Sequence, residues 1–248
     1  MIKLRLMKMM LDRIISMRGF LRVNMYKVYF VLLNDVIDHY IFPTLLSFVS
    51  AKKQHRTNLM RFSIDKKLTI FSEVLVRALV CRLYGVKNDE LVFTENEHGK
   101  PRVAGISQFH FNISHSRNAI AVAIAEKSVG IDIEKIKETD LNIAIRFFST
   151  KEQAFIFDKT SKLIDRQRRF YEVWTKKEAY LKQIGKGLSI PLNCFDVTER
   201  GIQDKTYCFE KEGYIISVCG RDAISRNNIE IIELCEHDLT TLVISSWG

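Results

Sequence analysis

The chain has 248 residues, of which 47% are hydrophobic, 10% aromatic and 27% charged, a composition typical of globular proteins that excludes the disordered and fibrous classes. Its apolar runs are far shorter than the ~18 residues of a transmembrane helix, so no integral membrane segment is predicted. The formal net charge is +9, but residues 1–24 hold six basic side chains and one acidic one. The remaining body is only mildly basic, which disfavours a nucleic-acid coat and suits an anionic small molecule or an acidic protein partner.

The first 24 residues are basic and partly amphipathic. A targeting peptide, a membrane-surface helix and an upstream start codon all stay open for them, and we favour the last. Met25 is followed at once by an aromatic and β-branched run that predicts a first strand. We therefore expect the working domain to begin near Met25 and residues 1–24 to form an N-terminal extension.

From Met25 onward, strands and helices follow each other without regular alternation. Period-two and β-branched runs predict strands at residues 26–33, 109–113, 119–125, 129–134, 214–218 and 241–245. Apolar periodicity and glycine stops predict helices at residues 43–56, 68–84 and 167–184, a turn at 99–101, and a further helix that opens with the capping-box spacing of Ser149 and Glu152. This order predicts an α+β fold with antiparallel sheets.

Five cysteines occur at irregular spacing, without a CxxC pair. This pattern predicts reduced thiols rather than a disulfide framework or a zinc site. Reduced thiols are typical of a cytoplasmic protein.

The segment Val129–Glu134 carries the densest group of candidate site residues. On a strand, Ile131 and Ile133 face the core, and Asp132 and its second neighbour Glu134 project together from the other face. Adjacent carboxylates repel each other unless a cation lies between them, and oxygen ligands suit Mg²⁺ better than zinc. An ordinary exposed strand face with two surface acids stays open on these residues alone.

A second candidate group lies on the predicted helix 167–184. Trp174, Glu178 and Lys182 recur every four residues and therefore share one face. Glu178 and Lys182 form either a helix-stabilising pair worth ~0.3–0.5 kcal/mol or, beside a large aromatic side chain, a metal ligand or general base.

A third group, Ser114-His115-Ser116, ends the predicted strand 109–113. Hydroxyl groups, backbone amides and an imidazole at a sheet edge can bind phosphate. A catalytic Ser–His pair is disfavoured, because adjacent residues on a strand point to opposite faces. A purely structural histidine stays open.

Taken together and in order, these motifs resemble those of one enzyme family. They are Gly99-Lys-Pro101, Phe111-Asn-Ile-Ser-His-Ser116, Gly130-Ile-Asp-Ile-Glu134, Arg146-Phe-Phe-Ser149, Trp174-Thr-Lys-Lys-Glu-Ala-Tyr-Leu-Lys182 and Gly185-Lys-Gly-Leu188. The order is similar to that of 4′-phosphopantetheinyl transferases of the large, monomeric type that activates surfactin synthetase. The likeness covers approximately residues 25–192.

The resemblance implies an enzyme that transfers the 4′-phosphopantetheine arm of coenzyme A to a serine of an apo acyl or peptidyl carrier protein. Adenosine 3′,5′-bisphosphate is the implied by-product, and Mg²⁺ the implied cofactor. The implied fold is a pseudo-dimer of two similar halves, residues 25–130 and 131–248, with the active site between them. The family likeness also implies a cytoplasmic monomer without a nucleic-acid partner.

The resemblance also assigns roles to individual residues. Asp132, Glu134 and Glu178 match the acidic residues that hold Mg²⁺. Glu178 is in addition the best match for the base that accepts the serine proton, directly or through water. Lys182 matches a lysine at the pyrophosphate, and His115 a histidine at the 3′-phosphate.

The remaining matches concern coenzyme A, with the implied nucleotide contacts at Lys53, Arg56, Gly99, Lys100, Pro101 and Ser114. Lys53 and Arg56 have the spacing of the basic pair near the 3′-phosphate. Leu68 is a departure, because the family usually has a basic residue near this position, and Lys66 or Lys67 is a possible substitute. Glu152 matches a further acid without a defined role.

Two other classes of function stay open. A degenerate relative would bind coenzyme A or a carrier without turnover, although the intact acidic residues argue against this. The basic isoelectric point, about 9.3, also fits a nucleic-acid-binding protein, and deletion of residues 1–24 would discriminate that class from the transferase.

Overall fold

The computed structural model describes residues 25–158, 160 and 162–247; the expectation for residues 1–24 lies outside them. The strands are β1 Tyr26–Leu32, β2 Phe93–Glu95, β3 Pro101–Val103, β4 His110–Ser116, β5 Ala119–Ala125, β6 Val129–Lys135, β7 Thr206–Lys211, β8 Tyr214–Gly220 and β9 Ile229–Cys235. The helices are α1 Ile41–Ser47, α2 Ala51–Asn58, α3 Ser63–Tyr84, α4 Asn142–Phe147, α5 Thr150–Ile156, α6 Leu163–Ile184, α7 Arg200–Gln203 and α8 Glu236–Trp247. Short 3₁₀ turns lie at Asn88–Glu90, Gly187–Ser189 and Leu192–Cys194.

The first sheet has the order β4-β5-β1-β9 and is antiparallel except for the parallel pair β1 and β9. Its strand β5 is buried along its whole length and alternates alanine with larger residues. Ile120, Val122 and Ile124 pack in the core that includes α3, whereas the alanines pack in a second core together with β6. The small alanines let the second sheet approach closely.

The second sheet has the order β6-β8-β7 and is antiparallel. The Ile131 and Ile133 face of β6 packs in the core with the alanine face of β5, and α6 packs on β6 and β8. The buried hydroxyl groups of Thr175 on α6 and Ser217 on β8 are 2.8 Å apart and form a hydrogen bond. This contact fixes α6 over β8, the neighbour of the strand β6 that carries the acidic residues.

Strands β4 and β6 are joined by side chains at the boundary between the two sheets. Asn112 Oδ1 accepts a hydrogen bond from the amide of Ile131 at 2.8 Å. Ser116 Oγ accepts one from the amide of Lys135 at 3.3 Å. Polar side chains at alternate positions of β4 therefore replace a backbone ladder, and they align the end of β4 with the acidic end of β6.

The α+β prediction with antiparallel sheets is confirmed. Strands β2 and β3 form a further antiparallel pair, and each of the two larger sheets carries one 22-residue helix, α3 or α6. Both helices end at a glycine in the left-handed region, Gly85 with φ 67° and Gly185 with φ 70°, as predicted from their glycine stops. Strand β9 and helix α8 join the first sheet and α3, so the C-terminal segment packs with the N-terminal half. The division at residues 130 and 131 stays a prediction.

Two predicted elements differ from the structure. The single helix at 43–56 is instead α1 and α2, separated at Ser50, whose backbone is extended and whose side chain accepts a hydrogen bond from the Lys53 amide. The strand predicted at 241–245 is wrong, because these residues lie in α8. The buried positions of α8 include Leu239, Leu242 and Val243, which have helical spacing and pack against the α3 core, so tertiary contact overrides β-branched propensity.

Helices α3 and α6 begin earlier than predicted, at Ser63 and Leu163. Their first turns are largely exposed and lack the apolar periodicity on which the prediction rested. Within the described residues, no helix is both long and apolar enough to cross a membrane.

Candidate active site

The end of β6 that carries the acidic residues has a buried carboxylate, and one oxygen of this carboxylate has no hydrogen-bond partner. Asp132 and Glu134 share one face, as predicted, but Asp132 is only 4% exposed and not a surface acid. Asp132 Oδ1 accepts hydrogen bonds from Lys182 Nζ at 2.6 Å and from Ser114 Oγ at 2.9 Å. Its other oxygen, Oδ2, is buried without a hydrogen-bond partner, and such a group is costly unless a ligand satisfies it.

Helix α6 lies close enough to β6 to bring Glu178 and Lys182 to this carboxylate because the strand residue that faces the helix, Gly130, has no side chain. A Cβ atom at Gly130 would lie 2.1 Å from the carbonyl oxygen of Ala179 and 2.4 Å from the amide nitrogen of Gln183. Both are backbone atoms, so any side chain at this position would push the helix outward. Gly130 thus sets the separation between the strand and helix halves of the site.

The three carboxyl groups of the site have raised pKa values. Burial is the largest cause for Asp132. For Glu134 burial again dominates, and the charge of Asp132 raises the pKa further. For Glu178 burial is followed by the charges of Asp132 and Glu134. The charge of Asp132 thus disfavours ionisation of both glutamates, and that of Glu134 disfavours ionisation of Glu178; a bound cation would relieve this repulsion.

These side chains line a cavity of about 450 Å³. Its walls are formed by Ile113, Ser114, His115, Asp132, Glu134, Trp174, Glu178, Lys182 and Leu192. Among the residues that the structure describes, no three His, Cys, Asp or Glu side chains are close enough together to form a ready-made metal site. The oxygen-only donor set and the orphaned Asp132 Oδ2 nevertheless fit Mg²⁺. The metal assignment of Asp132, Glu134 and Glu178 stays a prediction.

A second cavity of about 320 Å³ shares Ile113 and His115 with the first. Five of the predicted nucleotide residues line it: Lys53, Arg56, Gly99, Pro101 and His115. Desolvation, and then the nearby Lys182 ammonium, lower the pKa of His115, so its imidazole is neutral at pH 7. The two cavities therefore adjoin at Ile113 and His115 and are called the cleft below, its basic end holding Lys53 and Arg56 and its acidic end Asp132, Glu134 and Glu178.

Polar residues of α3 that the sequence analysis missed also line the second cavity. Thr69, Ser72 and Glu73 face it, and Glu73 forms ion pairs with Lys53 at 3.2 Å and Arg77 at 2.9 Å. Their i, i+3, i+4 spacing within an otherwise apolar helix is the signal that could have identified them.

Two lysines named in the sequence analysis have ammonium groups that are engaged outside the second cavity. The Lys100 ammonium turns away from the second cavity and donates to Ser128 Oγ and to the carbonyls of Val129 and Gln183 at 2.9–3.2 Å. The assignment of Lys100 to the nucleotide-binding turn stays a prediction, and these bonds leave its backbone rather than its ammonium to contact the nucleotide. Burial lowers the pKa of Lys100 to about 8. Lys67 is 1% exposed and paired with Glu236 at 2.7 Å, so it does not substitute for a base at Leu68.

The fold and the cleft define a group-transferring enzyme that has a basic pocket next to a cluster of carboxylates. The sequence profile of the 4′-phosphopantetheinyl transferase superfamily matches residues 128–231, and that of the N-terminal domain of a 4′-phosphopantetheinyl transferase matches residues 39–127. The chain belongs to this superfamily. Its members transfer phosphopantetheine from coenzyme A to carrier proteins, and this chain is a transferase of that kind.

Curated relatives agree over most of the chain. The 4′-phosphopantetheinyl transferase gsp of Aneurinibacillus migulanus is 34% identical over 90% of this chain and 97% of its own length. The transferase psf-1 of Bacillus pumilus is 36% identical over 80% of this chain and 89% of its own length. The transferase Sfp of Bacillus subtilis (strain 168) is 34% identical over 69% of this chain and 75% of its own length. The two profile matches together include the lining residues of both cavities.

Proposed function

We propose that this transferase modifies a serine of an apo acyl or peptidyl carrier protein and releases adenosine 3′,5′-bisphosphate. The serine Oγ attacks the phosphorus next to the pantetheine, the bond from that phosphorus to the bridging pyrophosphate oxygen breaks, and the serine loses its proton. The observation that supports the proposal is the pair of adjoining cavities, one lined by Lys53 and Arg56 and the other by the three carboxylates.

Each residue of the acidic end has a defined task in this reaction. Glu178 accepts the serine proton, directly or through water, and its raised pKa suits a base that works near neutral pH. Lys182, already within hydrogen-bond reach of the site, donates to the pyrophosphate and stabilises charge on the leaving group. Asp132, Glu134 and Glu178 would hold Mg²⁺, which polarises the phosphates when bound.

The basic end of the cleft binds the nucleotide. Lys53 and Arg56 contact the 3′-phosphate together with His115, whose imidazole gains a proton when it meets this anion. The turn of Gly99 and Pro101 follows the adenine and ribose. Ser114 lies at the acidic end, where its hydroxyl donates to Asp132 and accepts from Lys182.

The test is the intact mass of an apo carrier incubated with the protein, coenzyme A and Mg²⁺. We expect a gain of one phosphopantetheine mass that a chelator abolishes and excess Mg²⁺ restores. Coenzyme A binding without a mass gain on several acyl and peptidyl carriers would instead indicate a binding module. We also propose a monomer that works in the cytoplasm, which sedimentation and cell fractionation test.

Replacing Lys53 by Met is expected to raise the KM for coenzyme A roughly 10-fold to 100-fold with kcat little changed. The reason is the loss of one charge-assisted contact, worth about 1.5–3 kcal/mol. The effect should vanish with 3′-dephospho-coenzyme A, which lacks the anion. Lys52→Met, at an exposed neighbouring position, is the matched control. Equal effects on both forms of coenzyme A would refute the 3′-phosphate assignment.

A further inference from the structure

A second buried charge cluster lies behind the catalytic face of α6. Lys177 and Glu152 form an ion pair with 2.8 Å between Lys177 Nζ and Glu152 Oε2, and both side chains are fully buried. The rings of Phe148 and Phe195 lie 5.6 and 4.3 Å from the ammonium. Neither charged group faces the substrate cleft, so the proposed reaction does not use them directly.

The remaining hydrogen bonds of this pair all go to backbone groups. Lys177 Nζ donates to the carbonyls of Leu192 and Phe195, each at 2.7 Å. The Glu152 carboxylate accepts from the amides of Ser149 at 2.8 Å and Val197 at 2.9 Å. The pair thus ties the irregular segment 192–197 to two helices, α5 and α6.

This segment forms part of the catalytic cavity. Leu192, whose carbonyl Lys177 holds, lines the cavity together with Trp174 and Glu178. Lys177 is also the chain neighbour of Glu178 on α6. A single ammonium therefore fixes the wall opposite the acidic residues and the turn of helix that carries the proposed base.

We propose that Glu152 and Lys177 are positioning residues that hold the 192–197 wall against α6 and thereby set the geometry of Glu178. The inference rests on the proposed role of Glu178 and gives Glu152, the acid without a defined role, a task that is neither metal binding nor proton transfer. Both Glu152 oxygens are already occupied by Lys177 and by backbone amides, which leaves no oxygen free for a metal ion.

The stability of the fold alone would not require the buried pair of Glu152 and Lys177 to be charged. Buried ion pairs repay their desolvation poorly, and neutral replacements of similar volume are often equally stable. If methionine replaced Lys177, however, the hydrogen-bond donor to the two buried carbonyls would be lost, because methionine has no N–H group in its side chain. The position of the segment 192–197 is therefore the property that we expect to depend on Lys177.

The test compares the double variant Glu152→Gln/Lys177→Met with wild type. We expect a folded protein whose KM for coenzyme A stays within about twofold, because the nucleotide pocket lies on other elements, and whose kcat falls at least 10-fold. Lys176→Met is the matched control, since Lys176 forms only a surface i, i+4 pair with Glu172, and it should retain full kcat.

A second readout follows the wall itself. With Trp247 replaced by Phe, the fluorescence of Trp174 reports on the cavity alone, because the chain has two tryptophans. Acrylamide quenching should increase in the double variant and not in Lys176→Met. A folded double variant with wild-type kcat and quenching would overturn the proposal, whereas a wild-type enzyme that fails to modify any carrier would overturn the proposed function instead.

Discussion

Glu178→Gln is expected to lower kcat for carrier modification by roughly 10²–10⁴-fold, the range that loss of a general base produces. The substitution keeps the size of the side chain but removes the proton acceptor and one of the three carboxylates. Binding of coenzyme A at the basic end should persist, because Lys53, Arg56 and His115 are unchanged. Single-turnover mass measurements and titration with coenzyme A separate the two effects.

The same variant should not be less stable than wild type in Mg²⁺-free buffer. The pKa of Glu178 is raised in the folded state, so its ionised form opposes folding at pH values above its unfolded pKa. Glutamine removes that opposition, and the Tm at pH 7 should be equal or higher. Glu172→Gln, a charge removal at a half-buried position of the same helix that lines neither cavity, is the control and should keep full activity. A Glu178→Gln enzyme with wild-type kcat would exclude Glu178 as the base.

Gly130→Ala is expected to cost about 1–3 kcal/mol of unfolding free energy, as overpacking of a tight interior does, and most of the activity. The new methyl group would meet the backbone of α6 at 2.1 Å, so the helix must shift. Since α6 carries Glu178 and Lys182, the shift separates both from Asp132. Denaturant unfolding and kcat measured on the same sample check the two parts.

Gly201→Ala supplies the control for this effect. Gly201 lies in α7, has nothing within 4 Å of an added Cβ and is not in the left-handed region. Its substitution should leave both stability and kcat unchanged or raise stability slightly. If Gly130→Ala were as active and as stable as Gly201→Ala, the close approach of β6 and α6 would not set the site.

Local patterns in the sequence determined much of the site. The alternation in Val129–Glu134 correctly placed Asp132 and Glu134 on one face, because strand geometry depends only on neighbouring residues. The four-residue spacing of Trp174, Glu178 and Lys182 likewise placed them on one helical face, and all three line the catalytic cavity. The capping box at Ser149 and Glu152 was confirmed for the same reason.

The tertiary structure decided which of these faces meet. Ser114 and Asp132 are 18 residues apart, Asp132 and Lys182 50 apart, and Lys100 reaches Gln183 across 83 residues. No periodicity within one element specifies such contacts, because they depend on how the sheets and helices pack. For this reason the partners of the Lys100 ammonium were not foreseen from the sequence.

The helix α8 and the buried pair of Glu152 and Lys177 show the same limit. A short apolar run with β-branched residues fits a strand or a helix locally, and only its packing on α3 selected the helix. Glu152 looks like an exposed capping residue until the structure sets Lys177 and the amide of Val197 against it. Local faces of strands and helices follow from the order of residues, whereas burial and long-range partners, which control pKa values and hydrogen bonding, depend on how the chain folds.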